Sequence, residues 1–392
     1  MFTPAKTLLP SVTFMRLTLL TLSSTLGMAS YAAIEAPILD NTAYVLMDYD
    51  TGTILAQKNA DQPLPPASLT KMMTSYLIEQ RLLSGNLKET DPVTMSPNAW
   101  CKGTSEESCM YVPVNSSAPV IDMLKGIIIQ SGNDAAKAMA EHIAGSEEAF
   151  SDLMNEEAKK IGMTNSHFVN ATGMPMQGHN ATAYDMAKLS QAIIKNSQKY
   201  YPIYSQKEFT YNNIKQGNRN VLLATDPTVD GLKTGHTDEA GYCLAVSSKR
   251  GDMRLISVIF GTKSSQARAD QSRALLNWGF GHFTTQVVAP TNQSVGKSIV
   301  SFGKSDVVNV ATKNSLQVLI PKIQAQKIQT QINLPKALKA PLKKGQEVGT
   351  MTAVLDGKAI ASVPLVAMQD VEAAGFFSRM VEYVVGFFKG LF

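Results

Sequence analysis

The amino-acid sequence predicts a mixed α/β domain of the α+β type, then a small all-β sandwich, then a C-terminal amphipathic helix. Three patterns carry this expectation. Over residues 33–285, some stretches place apolar residues at helical spacing and others cluster them in short strand-like runs. Over residues 286–371, the runs Val307–Ala311, Leu316–Ile320, Val348–Leu355 and Ile360–Val366 cluster β-branched residues between Gly, Asn and Pro turns. Over residues 372–392 the spacing turns helical. Phe376, Met380, Val384, Phe387 and Leu391 form one apolar row, and Phe377, Val381, Val385, Phe388 and Phe392 a second.

The first domain opens with Ala43–Asp48 and Thr53–Gln57 around Asp50-Thr51-Gly52, a hairpin signal. Pro65 and Pro66 then lead into a helix starting at Ser68. Its apolar positions are Leu69, Met72, Met73, Tyr76, Leu77, Leu82 and Leu83, and Gly85 ends it. Residues 86–120 are loop-rich and carry Pro92, Pro97, Pro113 and Pro119. Ile121–Gln130, Asp134–Ile143 and Glu147–Ile161 read as helices, the last two followed by Gly145 and Gly162. Ser166–Ala183 is irregular, and Asp185 is placed to cap a helix Met186–Asn196. Residues 208–235 are turn-rich and strand-like. Leu244–Ser248 and Leu255–Gly261 form strands joined through Gly251-Asp252, and Gln266–Gly279 closes the domain as a helix.

Composition bounds the function. The chain has 392 residues, 44% apolar and 17% charged, which suits a globular protein with a sizeable core. A net charge of +4 gives no support for a nucleic-acid partner. Residues 1–32 read as a secretory signal: Lys6 and Arg16 are basic, Leu17–Met28 is mostly apolar, and Ser30 and Ala32 sit at −3 and −1 of a cleavage site after Ala32. The mature protein is therefore expected outside the cytoplasm, where disulfides persist. Cys101 and Cys109 share a polar loop with Gly103 and Ser105 and are expected to pair. Cys243, in the strand-like apolar run Gly241–Val246, reads as an inert buried thiol. His142, His167, His179, His236 and His282 show no metal-ligand spacing, so no metal or other cofactor is expected. The all-β unit carries an excess of lysine over acidic residues, which reads as a solvated surface, with a membrane-facing or wall-facing module as the alternative. The terminal rows suit a helix lying in a membrane interface. Docking on its own domain or within a homodimer is the competing reading.

Ser68 and Lys71 are i and i+3 on the first helix, so they share a face. A serine hydroxyl needs a base beside it, and a lysine serves once burial or a nearby cation lowers its pKa. Ser-x-x-Lys alone is weak, because Ser294–Lys297 and Ser301–Lys304 repeat it. What raises Ser68 is its sequel. Ser131-Gly132-Asn133 offers a second hydroxyl and an amide in a turn between two helices. Lys233-Thr234-Gly235 offers a cation and a hydroxyl, with a glycine that admits close backbone approach. The other Ser-x-Asn matches, Ser84–Asn86 and Ser96–Asn98, lack that setting. Ser84, if the helix ran that far, would lie roughly 24 Å from Ser68.

This ordered set matches the motifs of serine β-lactamases and penicillin-binding proteins. The wider text, including Pro66–Lys71, Gln130–Ala135, Asp230–Thr237 and Ala240-Gly241-Tyr242, resembles the low-molecular-mass penicillin-binding proteins, the D-alanyl-D-alanine carboxypeptidases. The resemblance covers nearly the whole mature chain and departs from it at Cys101–Cys109, an apparent insertion. It implies a β-lactamase/transpeptidase-like catalytic domain. Ser68 would attack the carbonyl between the last two D-alanines of a peptidoglycan stem peptide, with Lys71 as its base and Ser131 and Asn133 as proton relay and peptide holder. Lys233 and Thr234, beside Gly235, would bind the terminal carboxylate, and the N–H groups of Ser68 and His236 would form the oxyanion hole. Arg219 and Arg268 resemble basic residues lining the family's cleft, with surface solvation as the other reading. The resemblance also implies β-lactams as trapped substrate mimics, and a periplasmic enzyme anchored to the outer face of the inner membrane through Gly375–Phe392. Ser166–Ala183 holds no Asp or Glu to activate a water, so bound penicillin is expected to turn over slowly. A DD-endopeptidase and a catalytically idle wall-binding scaffold are the competing functions.

Overall fold

The computed structural model describes residues 34–102 and 107–389. The expected signal segment, and Gly103 and Ser105 of the cysteine loop, lie outside them. The first domain is built on a five-stranded antiparallel sheet in the order Ile54–Lys58, Ala43–Asp48, Met253–Thr262, Gly241–Arg250, Val229–Thr237. Successive side chains of a strand point to opposite faces. Here both faces are buried. Val45, Met47, Ala245 and Val258 join one apolar cluster with Met72, Met73 and Ile193. Leu46, Leu244, Val246 and Ile259 join another with Leu275, Leu276 and Phe280 of the helix Ser265–His282. Helices Lys71–Leu83, Asn133–Ala144, Glu147–Lys160 and Ala183–Asn196 belong to the first side.

Most expected elements appear, and the differences have local causes. The strand pair at the sheet centre runs longer than its apolar runs, from Gly241 to Arg250 and from Met253 to Thr262, because the ladder continues into the polar residues beside the Gly251 turn. Thr182, not Asp185, caps the helix Ala183–Asn196: its side chain accepts from the Asp185 N–H. The Asp185 carboxylate instead accepts from Asn165 N and Ser166 Oγ, tying the irregular segment to the helix. The expected helix over 121–130 is an α-turn, Val120–Lys125, that widens into the π-turn Gly126–Gln130.

The second domain begins at the strand Phe283–Ala289, which pairs with Leu316–Pro321. These two pack on a six-stranded sheet ordered Gln329–Asn333, Glu347–Leu355, Lys358–Ala367, Val307–Thr312, Ser294–Ser301, Leu338–Lys339, around Val308, Val310, Val318, Ile320 and Leu365. Ser294 and Lys297 lie on an exposed stretch of strand in the β domain, so that Ser-x-x-Lys match lacks the one-turn helical geometry of Ser68 and Lys71 and the burial of Lys71. Phe283 and Leu319 join the apolar cluster under Ser265–His282, and Thr285 Oγ1 donates to Asp48 Oδ2 at 2.7 Å across the junction. The tail is the helix Phe376–Lys389, with Phe376 68% and Phe377 78% exposed. Glu382 accepts from Phe302 N, which fixes the helix to the β domain by its polar side. No described helix is long and apolar enough to cross a membrane.

Asp48 is fully buried, and its other oxygen is held by Thr51. Thr285→Val should therefore destabilise the protein by about 1–3 kcal/mol, the cost of stripping one partner from a buried carboxylate. Thermal unfolding of the variant against the wild type checks this.

Candidate active site

The Ser68 turn is fixed from below and from both sides. Ala67–Thr70 is a single 3₁₀ turn that passes into the helix Lys71–Leu83, with Leu69, Met72 and Met73 fully buried beneath it. The strand Val229–Thr237 is the last of its sheet, so one of its edges carries no neighbouring strand among the described residues. It passes against the turn at Gly235, where a Cβ would lie 3.0 Å from Pro66 O and 3.3 Å from Leu69 N. A β-strand edge next to a nucleophile can pair with the backbone of an extended peptide.

Lys71 is fully buried and points back at Ser68. Its Nζ lies 3.1 Å from Ser68 Oγ, 2.7 Å from Asn133 Oδ1 and 2.7 Å from Thr172 O. As an ammonium it donates to all three. As a neutral amine it donates to Asn133 and Thr172 and accepts the Ser68 proton on its lone pair. Burial, and next the Arg219 guanidinium, bring its pKa down to about 7.

Ser131 follows the π-turn with φ of 62°, a left-handed step between that turn and the helix that begins at Asn133. Lys233 Nζ donates to Ser131 Oγ at 3.0 Å and to Thr234 O at 3.0 Å. Lys233 and Thr234 are both buried, and burial pushes the Lys233 pKa well down, with Lys71, Arg219 and Arg268 adding repulsion. His236 is exposed and its ring lies on Tyr242, 3.9 Å between centroids. The structure thus brings Ser68, Lys71, Ser131, Asn133, Lys233, Thr234 and Gly235 to one place.

The two arginines separate. Arg219 is exposed before the short helix Leu222–Thr225 and acts on both lysines through its charge. Arg268 is 6% exposed, unlike a solvated surface residue, and its charge reaches Lys233. Its Nη1 donates to Gly235 O at 2.9 Å and to Cys243 O at 3.4 Å, so it holds the register of two strands behind the site.

Several residues that position the site carry no motif. Thr172 acts through its backbone carbonyl, which no side-chain pattern reveals. Asn170 shapes that turn, its Oδ1 accepting from Thr172 N, Thr172 Oγ1 and Gly173 N. A Cβ on Gly173, which has φ of 84°, would collide with Ala67 O. Val169 N donates to His179 Nδ1 at 3.0 Å, which leaves the proton on Nε2 to bond Thr70 Oγ1 at 2.8 Å. Burial holds the His179 pKa down at about 4, so it ties the irregular segment to the Ser68 turn as a neutral ring. On the opposite wall, the Asp134 carboxylate accepts from Met110 N, Tyr111 N and Val112 N, and Asn133 N donates to Ser108 O at 2.7 Å. Cys101 and Cys109 are disulfide-bonded with Cα atoms 6.0 Å apart, as expected, and that loop leads directly into Met110. Glu107 lies near both sulfurs, but sulfurs bonded to each other make no metal site. Cys243 is the buried free thiol, and burial raises its pKa to about 11.

Residues 30–264 match the family described as D-alanyl-D-alanine carboxypeptidase. The chain belongs to this family. Residues 283–373 match the C-terminal domain of penicillin-binding protein 5, in register with the strands described above. The chain is 44% identical to the Escherichia coli carboxypeptidase DacC over 362 residues, covering 91% of this chain and 90% of that one. The structure superposes on penicillin-binding protein 5 of Haemophilus influenzae with a TM-score of 0.80 and 39% identity, over 87% of this chain and all of the other. It also matches penicillin-binding protein D2 of Listeria monocytogenes solved in an ampicillin-bound form, with a TM-score of 0.57 and 28% identity over 63% of this chain and 99% of that one.

The geometry of this D-alanyl-D-alanine carboxypeptidase sets its pH response. Only the neutral amine of Lys71 can take the Ser68 proton, so acylation by benzylpenicillin should rise with pH through a midpoint near 7. Arg219→Ala removes a cation that disfavours the Lys71 ammonium. The charged form then persists to higher pH, and the rising limb should move upward. Stopped-flow acylation rates across pH, for wild type and variant, check both statements.

Proposed function

We propose that this serine-type carboxypeptidase removes the terminal D-alanine from peptidoglycan stem pentapeptides through an acyl-enzyme on Ser68. The observation that carries the assignment is Lys71 Nζ, held between Ser68 Oγ and two uncharged acceptors. Neutral Lys71 takes the Ser68 proton as Oγ attacks the carbonyl between the last two D-alanines. The backbone N–H groups of Ser68 and His236 receive the developing oxyanion, and the tight passage of Gly235 past Pro66 and Leu69 supports that pairing. Ser131, bridged to Lys233, relays a proton to the departing amine, and Asn133 holds the peptide. Lys233 and Thr234 bind the terminal carboxylate. D-Alanine leaves, and water then cleaves the Ser68 ester to free the shortened stem.

β-Lactams enter the same cycle as mimics of D-Ala-D-Ala and stall in it. The segment facing the lysine offers the Thr172 and Ala171 carbonyls to Lys71 and Thr74, and Ser166–Ala183 contains no carboxylate to drive water onto the ester. Incubation with benzylpenicillin should add one adduct to the wild-type protein by intact mass, none to Ser68→Ala, and the adduct should decay slowly. An adduct on Ser68→Ala, or fast steady-state hydrolysis of the penicillin, would overturn the assignment.

We also place the enzyme in the periplasm, on the outer face of the inner membrane. The apparent leader in residues 1–32 and the exposed Phe376, Phe377, Met380, Val381 and Tyr383 of the tail helix support this reading. Deleting residues 375–392 should move the protein into the soluble fraction with its penicillin acylation intact. Retention of the truncated protein on membranes would refute the anchor.

A further inference from the structure

Two groups act on Lys71 from the wall opposite the irregular segment. Asn133 Oδ1 accepts from its Nζ at 2.7 Å, and the Arg219 guanidinium disfavours its charged form. Both lean on one short stretch, Ser108–Val112. Asn133 N donates to Ser108 O at 2.7 Å, and the neighbouring Asp134 carboxylate accepts from the consecutive amides of Met110, Tyr111 and Val112. Gln216 Nε2 donates to Cys109 O at 2.9 Å, and Gln216 belongs to the hairpin strand Ile214–Gly217 that ends just before Arg219. A displacement of this stretch therefore reaches Lys71 by two routes.

No helix or strand contains Ser108–Val112. Tyr111 has φ of 66°, a conformation that a residue with a Cβ keeps only where its surroundings enforce it. One restraint is covalent: buried Cys109 is bonded to buried Cys101. The Cys101 end is itself fixed. Trp100 N donates to Ser96 O at 2.9 Å, Ala99 is buried in the main apolar cluster, and Asn98 Nδ2 donates to Glu141 Oε1 at 2.8 Å. Glu141 lies in the last turn of the helix that starts at Asn133. That helix is thus gripped at its first turn by Ser108–Val112 and at its last by Asn98, and the disulfide joins the two grips.

We propose that the Cys101–Cys109 disulfide is a positioning element of the catalytic centre, bracing the wall that sets Asn133 and Arg219 against Lys71, so that the dithiol form acylates slowly. The inference rests on the acyl-enzyme reading above. Neither sulfur touches substrate or a reacting atom. The bond acts through the backbone it holds, and small losses of register at a reacting centre are costly to rate.

The test is the rate constant for acylation by saturating benzylpenicillin, followed by rapid quench and intact mass, in the wild type and in Cys101→Ser/Cys109→Ser. It is read from the time course of molecules that finally carry one adduct, so unfolded chains do not enter it. The double variant should be slower by about ten- to a hundredfold. Opening the bond in the folded wild type with a phosphine, which becomes its oxide with oxygen from water and leaves two thiols, should slow acylation to the same degree. Reoxidation should restore the rate, and the phosphine should leave the double variant unchanged. A bond that only stabilises the fold would lower the melting temperature and leave this rate constant as it was. A double variant that acylates at the wild-type rate therefore overturns the proposal and leaves the carboxypeptidase reading intact. If the double variant takes no adduct at all, the phosphine-treated wild type, its two freed thiols counted by alkylation, decides by the same criterion. Failure of the untreated wild type to take an adduct overturns the reaction and this inference together.

Discussion

A lysine buried with only uncharged partners is the constraint around which this active site is arranged. Lys71 has no solvent exposure, and its acceptors are a hydroxyl, an amide oxygen and a backbone carbonyl. Each is a dipole, and none neutralises an ammonium. The arrangement lowers the affinity of the amine for its proton until it can serve as a base near neutral pH. Relative to a solvated lysine this costs the fold on the order of 5 kcal/mol at neutral pH. The unfolded chain keeps a proton there that folded Lys71 sheds, so this contribution to stability improves as pH rises from about 7 toward the ordinary lysine range. Two apolar clusters against the five-stranded sheet offset the cost.

The surroundings of the lysine follow from the same constraint. Its position has to be held without a countercharge, so neutral contacts hold it. Gly173 lets the irregular segment close onto Ala67, His179 bonds Thr70 as an uncharged ring, and Asn170 shapes the turn that presents the Thr172 carbonyl. Arg219 keeps positive charge nearby, which disfavours the Lys71 ammonium, and together with Arg268 it disfavours the charge on Lys233 as well. Buried polar groups of this kind demand complete hydrogen bonding, and the three acceptors on Lys71 meet that demand.

The parts of the fold that were legible from sequence are those where one residue type serves one purpose. Ser68, Lys71, Ser131, Asn133, Lys233 and Thr234 act through side chains at fixed spacing, so their motifs showed. Helix ends at Gly85 and Gly145 showed because a positive φ asks for glycine. Asp185 misled as a helix cap, because Thr182 beside it can cap equally well and Asp185 had a second task, bonding Asn165 and Ser166. Arg268 left two readings open. A buried guanidinium tied to two carbonyls and a rim guanidinium facing solvent are the same letter in a sequence. The carbonyl of Thr172 and the amides bound by Asp134 were illegible, since backbone groups carry no residue identity.

No portion of the active site is local beyond the Ser68–Lys71 turn. Lys71 meets Asn133 across 62 residues and Thr172 across 101, and Lys233 meets Ser131 across 102. Each such pairing must overcome the entropy of closing a long loop before it contributes anything. A chain that has formed its helices but not docked the irregular segment and the strand at Lys233 has Ser68 beside a solvated, protonated Lys71 and lacks the oxyanion donor at His236. It is chemically silent. Covalent capture of a β-lactam therefore counts finished molecules: each label marks a polypeptide whose distant segments have all arrived, and chains that stop short of that leave no mark.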